Sequence, residues 1–228
     1  MKKLLLAAIW FIPVIAFSQA NQSGTFYWGL GTGLTFGSST LKSTFINLEE
    51  IKGSGVSLKF SYGIKAQYGI SDVFSVGIIV RRESAIYATS YNYDSNDTIF
   101  TPVSTDVSTS GFLFAIDDKY FVVNHDDFSL TVGPIIGFYT GNAILKTFLV
   151  KGNLSGFNYG VNGGFNWYWG EHYGMSLDIA FNYHSLSGEP NNLADFHDVP
   201  ADEVITRYKV TGGGVFFCLG FVAKFGGD

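Results

Sequence analysis

Charge is the first thing this 228-residue sequence is short of: Asp, Glu, Lys and Arg make up 14% of it, against roughly 25% in an ordinary soluble domain. Basic residues are the scarcer sign, 14 against 19 acidic ones, a balance that argues against a nucleic-acid partner, which calls for a basic patch. Cysteine occurs once, at Cys218, which excludes an internal disulfide. That residue falls among small positions of the last apolar segment and reads as a buried filler. Long apolar runs are missing as well. Only Leu4 to Phe17 is continuously apolar, broken by Pro13, and at about 14 residues it is short of the roughly 20 that cross a bilayer as a helix.

That one run has the layout of a secretory signal: Lys2 and Lys3 in front, the apolar stretch, then small residues at Ala16, Ser18 and Ala20. Residues 1–20 are therefore expected to be a cleaved signal peptide, and residues 21–228 a single domain. No cysteine lies near the cut to carry a lipid anchor. Loss of Lys2 and Lys3 leaves 12 basic residues against 19 acidic ones, a net charge near −7.

What the chain does have is aromatic residues, 17% of the total, set in strict two-residue alternation. Phe26, Trp28, Leu30, Leu34 and Phe36 share one face of a strand whose other face is Tyr27, Gly29, Gly31, Gly33 and Thr35. The same rhythm returns in segments built on Phe60 and Tyr62, on Phe74 and Ile78, and on Phe128 and Phe138, then on Phe157 and Trp167, on Met175 and Phe181, and on Phe217 and Phe221. A less regular segment over about 109–123 is interrupted by Asp117, Asp118 and Lys119, as at a bulge. Low charge and abundant aromatics without a helix-length apolar run point to a closed transmembrane barrel, because only helices and closed barrels satisfy their backbone in lipid.

Alternation alone does not say which face looks inward, since a soluble lipocalin-like barrel alternates too. Volume does. Eight strands enclose room for packed side chains or one small ligand, not for more than a dozen Phe, Tyr and Trp side chains. The aromatic face is therefore expected to meet lipid, and the Gly, Ser, Thr and Asn face to fill the lumen. Short turns at 70–72, 124–127 and 170–172 alternate with longer polar stretches at about 37–53, 84–108, 141–153 and 186–206. The fold expected is all-β: an eight-stranded antiparallel transmembrane barrel with short periplasmic turns and longer extracellular loops. Trp28, Tyr68, Phe74, Trp167, Trp169, Tyr173 and Phe225 gather near the short-turn end as an interfacial girdle.

On this architecture the chain resembles the small outer-membrane barrels of the OmpA transmembrane-domain and OmpX type, and the outer-membrane β-barrel or porin-like family common in Bacteroidota. The resemblance covers about residues 24–225 and implies a location in the outer membrane, with membrane lipid as the surroundings and envelope proteins or extracellular ligands as partners of the loops. The chain departs from the usual aromatic ending in following Phe225 with Gly226, Gly227 and Asp228.

Lys59, Lys65, Arg81, Glu83, Asp117, Lys119 and Asp178 have lumen parity, and buried charges must be paired. They are expected to form an ion-pair plug, or else to line a narrow solute path. His184, Ser187 and Glu189 hint at acyl transfer. Lipid A deacylase barrels, however, carry a His-x-Ser-Asn pattern, and here Leu186 stands at the Ser position. No catalytic residue, cofactor or metal site is expected. An acidic loop holds Glu189, Asp195, Asp198, Asp202 and Glu203 with His197, and Asp94, Asp97 and Asp106 lie in another. Neither has the spacing of an EF-hand, and His125 and His172 fall in separate turns. The expected role is non-enzymatic: envelope structure, adhesion or an accessory part in a membrane complex.

Overall fold

Two-residue periodicity with β-branched and aromatic residues on alternate positions drives nearly all of the described residues into strands. The computed structural model describes residues 21–45, 50–92, 102–146, 150–191 and 204–226. Its elements are β1 (Phe26–Phe45), β2 (Glu50–Ser71), β3 (Phe74–Asn92), β4 (Pro102–Asp117), β5 (Lys119–Asn124), β6 (Phe128–Leu145), β7 (Val150–Tyr168), β8 (Tyr173–Pro190) and β9 (Ile205–Phe225). All neighbours are antiparallel, and β1 pairs with β9 from Phe26↔Phe225 to Thr44↔Arg207, so the sheet closes on itself. Closure removes the unpaired edges that an open sheet would present to lipid.

β4 and β5 occupy one path between β3 and β6, so nine elements make eight strands of a ring. The register of Asp117 with Ile135 and of Tyr120 with Val132 puts Pro134 opposite Asp118. Pro134 has no N–H to give, and the ladder lapses at that point without losing register. The irregularity expected around Asp117–Lys119 is thus an interruption caused by a proline on the neighbouring strand.

The stagger of the barrel follows from the ladders. Cross-strand partners run from Thr32 through Tyr62, Arg82, Phe112, Thr140, Ser155, Ser187 and Lys209 back to β1 at Lys42, ten residues beyond the start. That stagger tilts the strands by about 40°. On β1 the outward apolar residues run from Phe26 to Phe36, and at roughly 3.4 Å per residue on strands so tilted they span about 26 Å, close to the roughly 25 Å apolar band of membrane barrels.

The faces lie as the volume argument requires. Phe36, Phe60, Phe114, Phe157, Phe181 and Leu219 are exposed on the outer surface, while Lys59, Ser61, Thr131, Asn162 and Asp178 are buried inside. Trp28, Tyr68, Phe74, Trp167, Trp169, Tyr173 and Phe225 all lie within three residues of the short-turn end of a strand. On most strands the band stops near one level: outward Phe36 is followed by Ser38, Phe112 by Ser110, Phe138 by Thr140, Phe157 by Ser155, and Tyr183 by Ser185, while Val56, Ile86 and Ile144 are apolar residues that lie outward beyond it.

Beyond that level the strands do not end. The stretches expected as loops at 37–53, 84–108, 141–153 and 186–206 are strand through Phe45, from Glu50, through Asn92, from Pro102, through Leu145, from Val150 and through Pro190. The pattern inverts there. Outward positions become Ser38, Thr40, Lys42, Asn153 and Lys209, while inward positions become Leu41, Phe45, Val107, Leu145, Leu154 and Val210, all buried. The barrel wall is therefore a membrane barrel in its lower half and an ordinary water-facing barrel, largely apolar inside and polar outside, in its upper half.

Candidate functional site: a sealed lumen

At the short-turn mouth, the buried Asn21 lies across the opening. Its backbone N–H donates to Asn124 Oδ1 (2.7 Å) and its side-chain amide to the Ser71 carbonyl (2.6 Å). Asn124 returns a bond to the Asn21 carbonyl (2.7 Å), and the Tyr27 hydroxyl donates to Asn21 Oδ1 (3.1 Å). Tyr27, Phe121, Tyr168 and Val222 close behind it as an apolar layer, with the Lys224 ammonium 4.8 Å above the Tyr168 ring. Replacing Asn21 by Ala keeps the two backbone bonds to Asn124 but takes the amide donor from the Ser71 carbonyl and the Oδ1 acceptor from the Tyr27 hydroxyl, and is expected to cost about 1–3 kcal/mol. Urea unfolding followed by tryptophan fluorescence measures it.

Above that layer lie the charges. Asp178 accepts from Lys65 Nζ at 2.9 Å, and Lys119 Nζ stands 3.6 Å from Asp178 and 3.5 Å from Asp117. Asp117 also accepts from Asn162 (3.2 Å) and Gln67 (3.4 Å). One step outward Arg81 makes no ion pair among the described residues and lays its guanidinium over the Phe216 ring, 4.4 Å from the centroid, where the ring face balances part of its charge. A second pair, Lys59–Glu83 at 3.5 Å, sits above it. The seven lumen charges expected from parity all point inward, but they form two groups separated by Arg81 and Phe216 rather than one network.

Among these groups lies a cavity of about 20 Å³ lined by Lys65, Arg81, Asp178, Ser176 and Cys218, about the room one water needs. A Cβ on Gly31 would lie 2.8 Å from Cys218 Sγ, so the thiol fills the space the glycine leaves. Over the upper pair, buried His184 packs its ring 5.5 Å from that of Tyr87. Above them Leu41, Val107, Leu145, Leu154, Leu186 and Val210 belong to the largest buried apolar cluster among the described residues.

The residues that hinted at acyl transfer are not brought together. His184 and Leu186 face inward, whereas Ser187 and Glu189 face outward across the same strand. Glu189, expected in a loop, lies on β8 and pairs with Arg207 at 3.3 Å. Asp195, His197, Asp198, Asp202 and Glu203 fall outside the described residues, as do Asp94 and Asp97. Asp106 lies on the outer face of β4 and pairs with Lys146 at 3.8 Å. Exposed pairs of this kind are worth little. His125 stacks on Phe128 and His172 on Phe225. Among the described residues no three His, Cys, Asp or Glu side chains group in a way that could hold a metal.

Three features escaped the sequence reading. The Asn21–Asn124 seal joins residues 103 positions apart and leaves no local pattern. The inward apolar plug was hidden because its strands carry Ser and Thr outside. Arg82 was readable: its parity places it on the lipid face, beside Arg81 on the other.

No family model matches the chain, and no curated protein does. Among solved structures, outer-membrane protein OprG of Pseudomonas aeruginosa is similar over 92% of this chain and 99% of its own, with 14% identity and a TM-score of 0.53. Neisserial surface protein A matches 89% of this chain and 100% of its own at 14% identity and a TM-score of 0.42. The outer-membrane protease OmpT of Escherichia coli matches 88% of this chain and 97% of its own at 9% identity and a TM-score of 0.40. The first of these likenesses establishes the fold: an eight-stranded antiparallel barrel of the kind found in outer-membrane proteins.

Proposed function

We propose that this chain is a non-conducting, non-enzymatic barrel of the bacterial outer membrane, exported through the segment 1–20, whose lumen is a rigid plug and whose outer loops carry its contacts. Envelope structure, adhesion or an accessory place in a membrane complex are the roles open to such a protein. The observation that carries the reading is the succession of layers along the lumen: an aromatic base, paired charges and an apolar outer plug, with a cavity of about 20 Å³ among the charges. A hydrated ion crossing that path would have to displace Leu41, Leu154 and Leu186, which are almost wholly inaccessible. The opposed facing of His184 and Ser187 argues against acyl transfer. Kinship with the small OmpA-type barrels belongs to the same reading, supported by the strand number.

Purified protein reconstituted in planar bilayers is expected to give no discrete current steps. Steps that change on substitution of Lys65 or Asp178 would sink the plug in favour of a narrow porin. Deacylation of lipid A lost in His184→Ala would sink the non-enzymatic reading.

A further inference from the structure

The outer wall formed by β9, β1, β2 and β3 carries a feature that neither the plug nor the loops account for. Thr32 is a small outward residue in the apolar band, and its hydroxyl turns back to the Ser61 carbonyl at 3.2 Å. Around it Leu30, Ile64, Val80, Leu219 and Phe221 wall a groove of about 580 Å³ open to the bilayer. A gap between larger side chains on this face offers space for acyl chain.

Arg82 closes the outer rim of that groove. It faces outward, lies opposite Tyr62 and Phe112 in the ladders, and holds its guanidinium 5.3 Å from the Phe112 ring centroid with a bond to Ser110 Oγ at 3.1 Å. Ser110 belongs to the first polar level above the band, so the side chain runs up from the apolar region and places its charge at the interface. Among the described residues Arg82 has no carboxylate partner.

Farther out on the same wall three lysines stand side by side. Lys42 is opposite Lys52 on one flank and Lys209 on the other. Like charges directly opposite one another destabilise a sheet. Lys42 has Glu50 at 3.0 Å, but among the described residues Lys52 and Lys209 have no ion-pair partner. Lys42 lies six residues beyond Phe36, roughly 15 Å above the apolar band at the rise and tilt already given. A chain with a net negative charge thus keeps two lysines without an ion-pair partner among the described residues, one on each side of the Lys42–Glu50 pair, above one groove.

We propose that this wall binds a phosphorylated glycolipid of the outer leaflet, with an acyl chain in the groove at Thr32, a phosphate on Arg82 and Ser110, and anionic groups of the saccharide head on Lys52, Lys42 and Lys209. The occupant follows from the pairing of an apolar groove with cations at two heights: a simple phospholipid would reach Arg82 alone, and a soluble polyanion the lysines alone. The inference rests on the outer-membrane location but not on the closed lumen, so bilayer conductance bears only on the latter.

Native mass spectrometry of the folded barrel, released from detergent in the presence of bisphosphorylated lipid A bearing its phosphorylated core sugars, tests it. Wild type is expected to retain one glycolipid per barrel. Arg82→Gln should lower the retained fraction about ten-fold, and the triple change of Lys42, Lys52 and Lys209 to Gln several-fold. The dephosphorylated glycolipid should be lost from wild type, an arm that needs no variant and so survives poor folding of any of them. Equal retention of phosphorylated and dephosphorylated lipid would reduce the groove to ordinary solvation by the bilayer. Full competition by the free phosphorylated saccharide would overturn the glycolipid in favour of a soluble polyanion. Retention unchanged in both sets of variants, with their heat-dependent gel shift intact, would overturn the site itself.

Discussion

Asp178→Ala is expected to destabilise the barrel by roughly 3–5 kcal/mol, the cost of leaving buried charge without its partner. Asp178 is the shared acceptor of the lower group, 2.9 Å from Lys65 and 3.6 Å from Lys119. Its removal leaves Lys119 with Asp117 and Lys65 with no carboxylate in contact among the described residues. Asp178→Asn keeps the size and should cost nearly as much, which separates charge from packing. The double change of Lys65 to Met and Asp178 to Leu removes both members of the short pair and should recover most of the loss, because Lys119 and Asp117 remain together at 3.5 Å. Urea unfolding in lipid vesicles gives the three values. A loss below about 1 kcal/mol for Asp178→Ala would mean that water enters and solvates the lysines, and the plug would not be rigid.

The second large effect is on the outer face. Ile179 points into the middle of the apolar band, one position along β8 from Asp178, which points into the lumen. Ile179→Arg is expected to cost roughly 2–4 kcal/mol, as for a cation near the bilayer midplane. Ser187→Arg, on the same face eight residues farther out and above the band, should cost close to nothing. Arg at the lumen position Gly160 acts by another route: a Cβ there already lies 2.7 Å from Asn182 Oδ1, so crowding decides. Equal tolerance of arginine at 179 and 187 would place the bilayer elsewhere on the wall. Arg82 is the natural control, a lipid-face arginine whose guanidinium reaches Ser110 at the interface.

Much of this arrangement was legible because a strand has a period of two and a barrel wall has two different solvents. Once volume excluded the aromatics from the lumen, Lys65, Asp117, Lys119 and Asp178 had to face one another inside. Their approximate heights followed from counting outward from the short turns. Reading failed where the solvent changed. At Ser38, Ser110, Thr140 and Ser155 the outer face leaves lipid for water while the strand continues, and a polar run on the surface of a strand looks like a loop. Arg81 failed for a different reason: counting gives height along the strand, not which neighbour the side chain meets across the lumen, and Phe216 reaches it first.

The sequence by itself determined the strand number, the faces and the apolar band, since these depend on parity and on side-chain volume, both local properties. Only the tertiary structure decided how far the strands extend, that the outer half carries an apolar plug, that Asn21 seals the base and that Lys52, Lys42 and Lys209 stand abreast. Those depend on the ten-residue stagger with which the sheet closes, and closure is a property of the ring as a whole, which no single strand records.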